Sequence, residues 1–246
     1  MKNQLILLTV LFTSFSTMAQ ELKKIKYTNE LVTHEAEAII VKQNAPGVLI
    51  LPAWTGIDDE ARNAAIDLAN QGYNVFIADI YGTNDTPKNM ESAKKMSAFY
   101  KENPDKYRHK IQLAFNEFTK LGTHKNKTAV IGYCFGGTGA VEAARGNMPF
   151  TGVVSIHGGL KKVDNNYNTA IQPKVLVIHP AEDESVSKQD IDLFMNEMRK
   201  GNADWQFFYY ANSKHTFTNP QSKDYNALMS ERAWKHVKLF LEEVLK

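Results

Sequence analysis

Cysteine is almost missing from the chain: 246 residues contain one, Cys134. A single thiol excludes an internal disulfide, and it leaves a leftover sulfur that calls for either inert burial as a small hydrophobe or a working role. An excess of one charge is missing too. The 29 Lys and Arg against 27 Asp and Glu give a net charge of +2 with mixed signs, no basic field, and no nucleic acid or anionic membrane among the expected partners. Past the first twenty residues no apolar run approaches bilayer length. Internal repeats, low-complexity tracts and linkers are also absent, so one domain is the economical reading of a chain that is 43% hydrophobic and 23% charged.

What is present begins with an export signal. Lys2 supplies the charged start, Leu5 to Phe12 the apolar core, and Thr17-Met18-Ala19 a small-residue cleavage site. The expectation is a secretory signal peptide over residues 1–19 and a mature domain over 20–246, exported to a periplasm or medium. No cysteine follows the apolar segment, so lipid attachment is not indicated. After cleavage the chain is expected to be monomeric, with no stable membrane insertion.

The stretch that organises the rest is Ile131-Gly132-Tyr133-Cys134-Phe135-Gly136-Gly137. It closes the apolar run Thr128 to Ile131, a buried strand, and opens a small-residue helix through Gly139, Ala140, Ala143 and Ala144. Cys134 therefore sits on a sharp strand-to-helix turn, a nucleophile elbow with sulfur in place of hydroxyl. Gly132 and Gly136 remove side chains where such a turn would clash, and Gly137 and Ala140 let the helix lie close to the sheet. The helix start would favour a thiolate and a developing oxyanion.

Around the elbow, strands alternate with helices. A leading hairpin is read over Glu21 to Lys42, then strands over Gly47–Leu51, Asn74–Ala78, Thr151–Ile156, Lys174–Ile178 and Asp204–Tyr210. Helices are read from Asp58 or Asp59, over Met90–Tyr100, across Ile111 to Leu121, from Ser187 to Gly201, and from about Asp224 onward. This is an α/β pattern with a mostly parallel central sheet and helices on both faces. Function in such a sheet gathers in loops at the carboxyl ends of strands, where Trp54, Tyr81, Cys134, His157, Asp183 and His215 all fall.

A thiol nucleophile needs a base, and the base needs an acid to fix its tautomer. Asp183 and His215 follow the elbow in that order, the chain order of α/β-hydrolases. Backbone amides of Phe135 and Trp54 are the candidate oxyanion donors, and Tyr81 and His157 the candidate lining of the substrate pocket. His34, His109, His124 and His236 fall on surfaces or helices and need no role. A zinc site of His157, His179 and His215 lacks a short-spaced ligand motif, so neither a metal nor a cofactor is expected.

Taken together, the Pro52 to Gly56 loop, Gly72-Tyr73, Ala78-Asp79-Ile80-Tyr81-Gly82, the Gly132 to Gly137 elbow, the Asp183 loop and His215-Thr216-Phe217-Thr218-Asn219-Pro220 resemble the dienelactone hydrolase family of cysteine α/β-hydrolases. The resemblance runs from about Gly47 to the last helix. It implies the α/β-hydrolase fold, a triad of Cys134, His215 and Asp183, and cofactor-free hydrolysis of a small-molecule ester or lactone through an acyl-cysteine. The chain departs from the family at three places. Ala53 stands where a glutamate usually meets the resting thiol, and Thr83 and Asn219 where arginines hold a substrate carboxylate. The resemblance therefore points to the family and not to a dienelactone as substrate. The competing class is a non-catalytic small-molecule binding protein on the same fold.

Overall fold

Gly47-Val48-Leu49-Ile50-Leu51 has no polar side chain to show solvent on either face, and it becomes a strand buried at every residue. It lies inside an eight-stranded sheet in a computed structural model that describes residues 21–29, 32–163 and 170–246. The expected signal peptide lies outside the described residues.

The strands are β1 (Lys23–Asn29), β2 (Val32–Ile39), β3 (Gly47–Leu51), β4 (Asn74–Ile77), β5 (Thr128–Tyr133), β6 (Gly152–Ile156), β7 (Lys174–Pro180) and β8 (Trp205–Tyr210). Their spatial order is β1-β2-β4-β3-β5-β6-β7-β8. The β1–β2 hairpin and the β2–β4 pairing are antiparallel and every other pairing is parallel, so the leading hairpin forms one edge as its alternation implied. The order also fixes where a site can form. From β3 the chain crosses to β4 on one side and then to β5 on the other. The carboxyl ends of β3 and β5, paired as far as Leu51 opposite Gly132, therefore flank the switch point of the sheet.

Two apolar layers cover the sheet. Val48, Ile50 and Ile131 point to one, beneath α1 (Asp59–Asn70) and α6 (Ala227–Leu245). Leu49, Leu51 and Val130 point to the other, beneath α2 (Met90–Glu102), α3 (Pro104–Lys120), α4 (Phe135–Arg145) and α5 (Lys188–Lys200). Each such Leu or Ile, withdrawn fully from water, favours the fold by about 1.5–3 kcal/mol relative to an exposed one.

Local signals set most helix starts. Asp58 caps α1 through Ala61 N at 3.0 Å, Ser187 caps α5, and Pro104 opens α3 where no amide is needed. The last helix differs from expectation. Asn226 accepts from Met229 N and caps α6, so the helix begins at Ala227 and not near Asp224, and Tyr225 and Leu228 stay exposed outside the core. His34, expected at a surface, is buried, donates through Nδ1 to the Asp79 carbonyl at 2.9 Å and stacks on Tyr27.

Candidate active site

Cys134 joins β5 to α4 at φ 52° and ψ −109°, a backbone state that costs an L-residue strain unless the surroundings enforce it. They do so in two ways. A Cβ at Gly132 would strike the Gly136 carbonyl, and one at Gly136 would strike the carbonyls of Leu51 and Pro52, so only hydrogen at both positions lets α4 turn this tightly onto β3. Hydrogen bonds complete the hold: the Cys134 amide donates to the Ile156 carbonyl at 3.0 Å and to Nδ1 of His157 at 3.1 Å.

Loops after β7 and β8 bring up the other two side chains. They are laced together by Glu182 N donating to the Ser213 carbonyl at 2.9 Å. Asp183, its carboxyl fully buried, meets Nδ1 of His215 at 2.8 Å, and Nε2 of the same ring lies 3.0 Å from Cys134 Sγ. Ser185 was not anticipated from the sequence. Its amide and hydroxyl both donate to Asp183 Oδ1, at 2.9 and 2.6 Å, and turn the carboxylate toward the imidazole.

The electrostatics follow from these contacts. Burial alone would raise the Asp183 carboxyl, but the hydrogen bonds from His215 and Ser185 outweigh it and hold it at about 2. Burial alone would lower His215, and the hydrogen bonds and charges of Asp183 and Cys134 instead raise it to about 10. The ring therefore keeps both protons through neutral pH.

Trp54 lies on the loop after β3, beside the elbow. Phe135 is the first residue of α4, so its amide has no carbonyl one turn back to bond. Tyr81 ties the two together: its hydroxyl donates to the Trp54 carbonyl at 2.9 Å and its ring stacks on Phe135 at 5.6 Å between centroids. Tyr107 stacks on Phe135 at 4.5 Å and donates to the Phe135 carbonyl at 3.0 Å. Burial pushes the Tyr81 phenol above its ordinary range, which keeps it a donor at every working pH. Tyr81 also borders a cleft of about 550 Å³ with Thr55, Gly56 and Thr83. Tyr81→Phe is expected to fold normally and lower kcat roughly three- to tenfold with little change in KM, because only the orientation of the Trp54 turn is lost; unchanged steady-state constants would show that the bond positions nothing.

His157, expected in the pocket lining, sits instead behind Cys134 with 1% of its surface exposed and both ring nitrogens engaged. Besides the Cys134 amide on Nδ1, its Nε2 meets Thr218 Oγ1 at 2.9 Å, and Thr218 donates to Glu60 Oε1 at 2.6 Å. Neither Thr218 nor Glu60 carried a local signal beyond the former's place three residues after His215. Among the described residues no three His, Cys, Asp or Glu side chains converge to hold a metal ion.

A mostly parallel sheet flanked by helices, with the elbow at its switch point, defines an α/β-hydrolase. The chain matches the dienelactone hydrolase family over residues 35–245 and belongs to that family. It is a hydrolase enzyme of the ester- and lactone-cleaving kind. A crystal structure of a dienelactone hydrolase-like promiscuous phosphotriesterase from metagenomic libraries superposes with a TM-score of 0.88 at 29% identity, covering 93% of this chain and 100% of that one. A Bradyrhizobium protein described as a probable 2-oxo-3-(5-oxofuran-2-ylidene)propanoate lactonase is 22% identical, across 82% of this chain and 85% of its own. A putative carboxymethylenebutenolidase of Aquifex aeolicus is 24% identical, across 83% and 91%.

Proposed function

We propose that the enzyme hydrolyses a carboxylic ester or lactone through an acyl-cysteine intermediate, with Cys134 as nucleophile, His215 as acid and base, and Asp183 as the group that orients the ring. The observation that carries this reading is the continuous line from Asp183 through His215 to Cys134 Sγ, at 2.8 and 3.0 Å. Cys134 Sγ lies 3.0 Å from Nε2 at the start of α4, so the thiol can hand its proton to a ring that Asp183 orients, and the imidazolium formed is one that Asp183 and a neighbouring thiolate both favour.

The thiolate attacks the carbonyl carbon, and the amides of Phe135 and Trp54 receive the oxyanion. As the tetrahedral centre collapses, His215 passes its Nε2 proton to the departing alkoxide, and an alcohol leaves; in a lactone it stays attached as a hydroxyl. The ring, now neutral, takes a proton from a water whose oxygen attacks the thioester. Collapse expels the thiolate, releases the carboxylic acid and leaves His215 protonated for the next turn.

Relatives described as a lactonase and a carboxymethylenebutenolidase support the ester or lactone class. They do not carry over a carboxylate-bearing dienelactone. Thr83 donates its hydroxyl to the Thr33 carbonyl and Asn219 accepts from Gln221 N, so neither position offers a cation to a substrate carboxylate.

With one cysteine in the chain, iodoacetamide reports on Cys134 alone. Alkylation at pH 6.5 should run about tenfold or more faster than that of free cysteine, and an activated aryl ester should release a stoichiometric burst of phenol while adding its acyl mass to the protein. Alkylation slower than free cysteine together with no burst would favour a binding protein and sink the proposal.

A further inference from the structure

The hydrogen bonds behind Cys134 run in one direction. His157 Nδ1 accepts the Cys134 amide, so the ring proton is on Nε2, which donates to Thr218 Oγ1; Thr218 in turn spends its own hydroxyl proton on Glu60. Both residues at the nucleophile end are held at positive φ, Cys134 at 52° and His157 at 41°. The His157 ring also meets the His215 ring edge-on, 5.1 Å between centroids. From these contacts we infer that His157, Thr218 and Glu60 form a positioning relay that holds the strained main chain of Cys134 and the ring of His215 in register, and that the charge on Glu60 tightens it. The inference rests on Cys134 being the nucleophile.

Chemistry supports each link. A second imidazolium 5.1 Å from His215 would repel it, and burial, with His215 adding to it, keeps His157 neutral by lowering its value to about 3. Glu60 is the one group of the relay able to change charge near neutrality. Burial raises it to about 7, against the Thr218 hydrogen bond, which lowers it. Asp58 faces it from the cap of its own helix, Tyr133 from β5 and His215 from the loop after β8, while α6 presents the neutral Ser230 and Trp234. The carboxyl borders a cavity of about 180 Å³ between α1 and α6. An ionised acceptor makes the stronger hydrogen bond, so the relay is firmest above the Glu60 transition.

The test compares Thr218→Val, Thr218→Ser and Glu60→Gln with the parent and with Cys134→Ala, using a soluble aryl ester and iodoacetamide as probes across pH 5 to 9. Thr218→Val cuts the relay without changing side-chain shape. It should lower kcat and the alkylation rate about fivefold at pH 8 with KM unchanged, and Thr218→Ser should restore both. Glu60→Gln keeps an acceptor oxygen but not the charge, so it should erase a rise near pH 7 from both profiles. It should also unfold at a higher temperature than the parent above pH 7. The raised carboxyl contributes stability below its ordinary 4.5 and loses it as pH climbs through about 7, a loss the amide does not suffer. Parent-like rates in Thr218→Val, or a pH profile untouched in Glu60→Gln, overturn the relay while an inactive Cys134→Ala leaves the nucleophile standing. An active Cys134→Ala overturns both.

Discussion

Cys134→Ala is expected to abolish turnover of an activated aryl ester, by about 10⁴-fold or more, while the protein stays folded. On the proposed mechanism the loss is large because the sulfur forms the acyl bond, and the backbone amides that would remain can only polarise a carbonyl for attack by water. Folding survives because alanine keeps the Cβ of Cys134 at the same φ of 52°, and the enforcing contacts come from Gly132, Gly136, Ile156 and His157. Cys134→Ser sharpens the result. A serine hydroxyl is a far weaker acid than a thiol, so the ring loses the Cys134 contribution to its value of about 10, and on the proposed mechanism the variant must deprotonate its hydroxyl during attack. It should retain on the order of 10⁻³ of the parent kcat and gain activity with rising pH, as a general-base enzyme does. Steady-state assays with a thermal melt on each variant suffice, and parent-level kcat in Cys134→Ala would refute the acyl-cysteine reading.

The parts of the site that were legible in the sequence are those written into short stretches. The elbow shows because its glycines must lie two residues before and after Cys134, where a side chain would strike the opposing carbonyls. Asp183 and His215 show because each lies in the loop that follows a parallel strand and the chain order is restrictive. The relay leaves no such trace. Glu60 and Thr218 are 158 residues apart, and Thr218 and His157 61 apart, so nothing but the fold joins them. Glu60 is one acidic residue among several near the start of α1, and His157, read as pocket lining from its place after a strand, gives no sign that it faces the back of Cys134. His34 was misplaced for a related reason: alternation in an edge hairpin does not reveal that α3 covers one of its faces, where Lys110 approaches the ring. The last helix starts later than its apolar spacing suggests because the Asn226 side chain reaches Met229 N and caps it there.

Asp183→Asn should cut kcat/KM roughly 10³- to 10⁴-fold and change the pH dependence of both rate and stability. The carboxylate does two things at once: it accepts from Nδ1, which leaves Nε2 facing the sulfur, and it balances the imidazolium charge. An amide can offer its own N–H to Nδ1, which would put the ring proton on the wrong nitrogen, and it supplies no charge. With that support gone His215 falls from about 10 toward its ordinary 6.5, so the upper limb of the rate profile moves down in pH. Stability follows the same two groups with opposite signs. Asp183, depressed to about 2, contributes fully above its ordinary 3.8 and loses its part as pH falls through 2; His215, raised to about 10, contributes fully below 6.5 and loses its part as pH rises through 10. The pair is therefore whole between about pH 4 and 6.5, and Asp183→Asn should be most destabilising there, by on the order of 2 kcal/mol, and progressively less so as pH rises from 6.5 to 10. Denaturant melts at pH 5.5 and pH 10.5 measure the difference, and a destabilisation equal at both values would mean that the Asp183–His215 contact carries no charge.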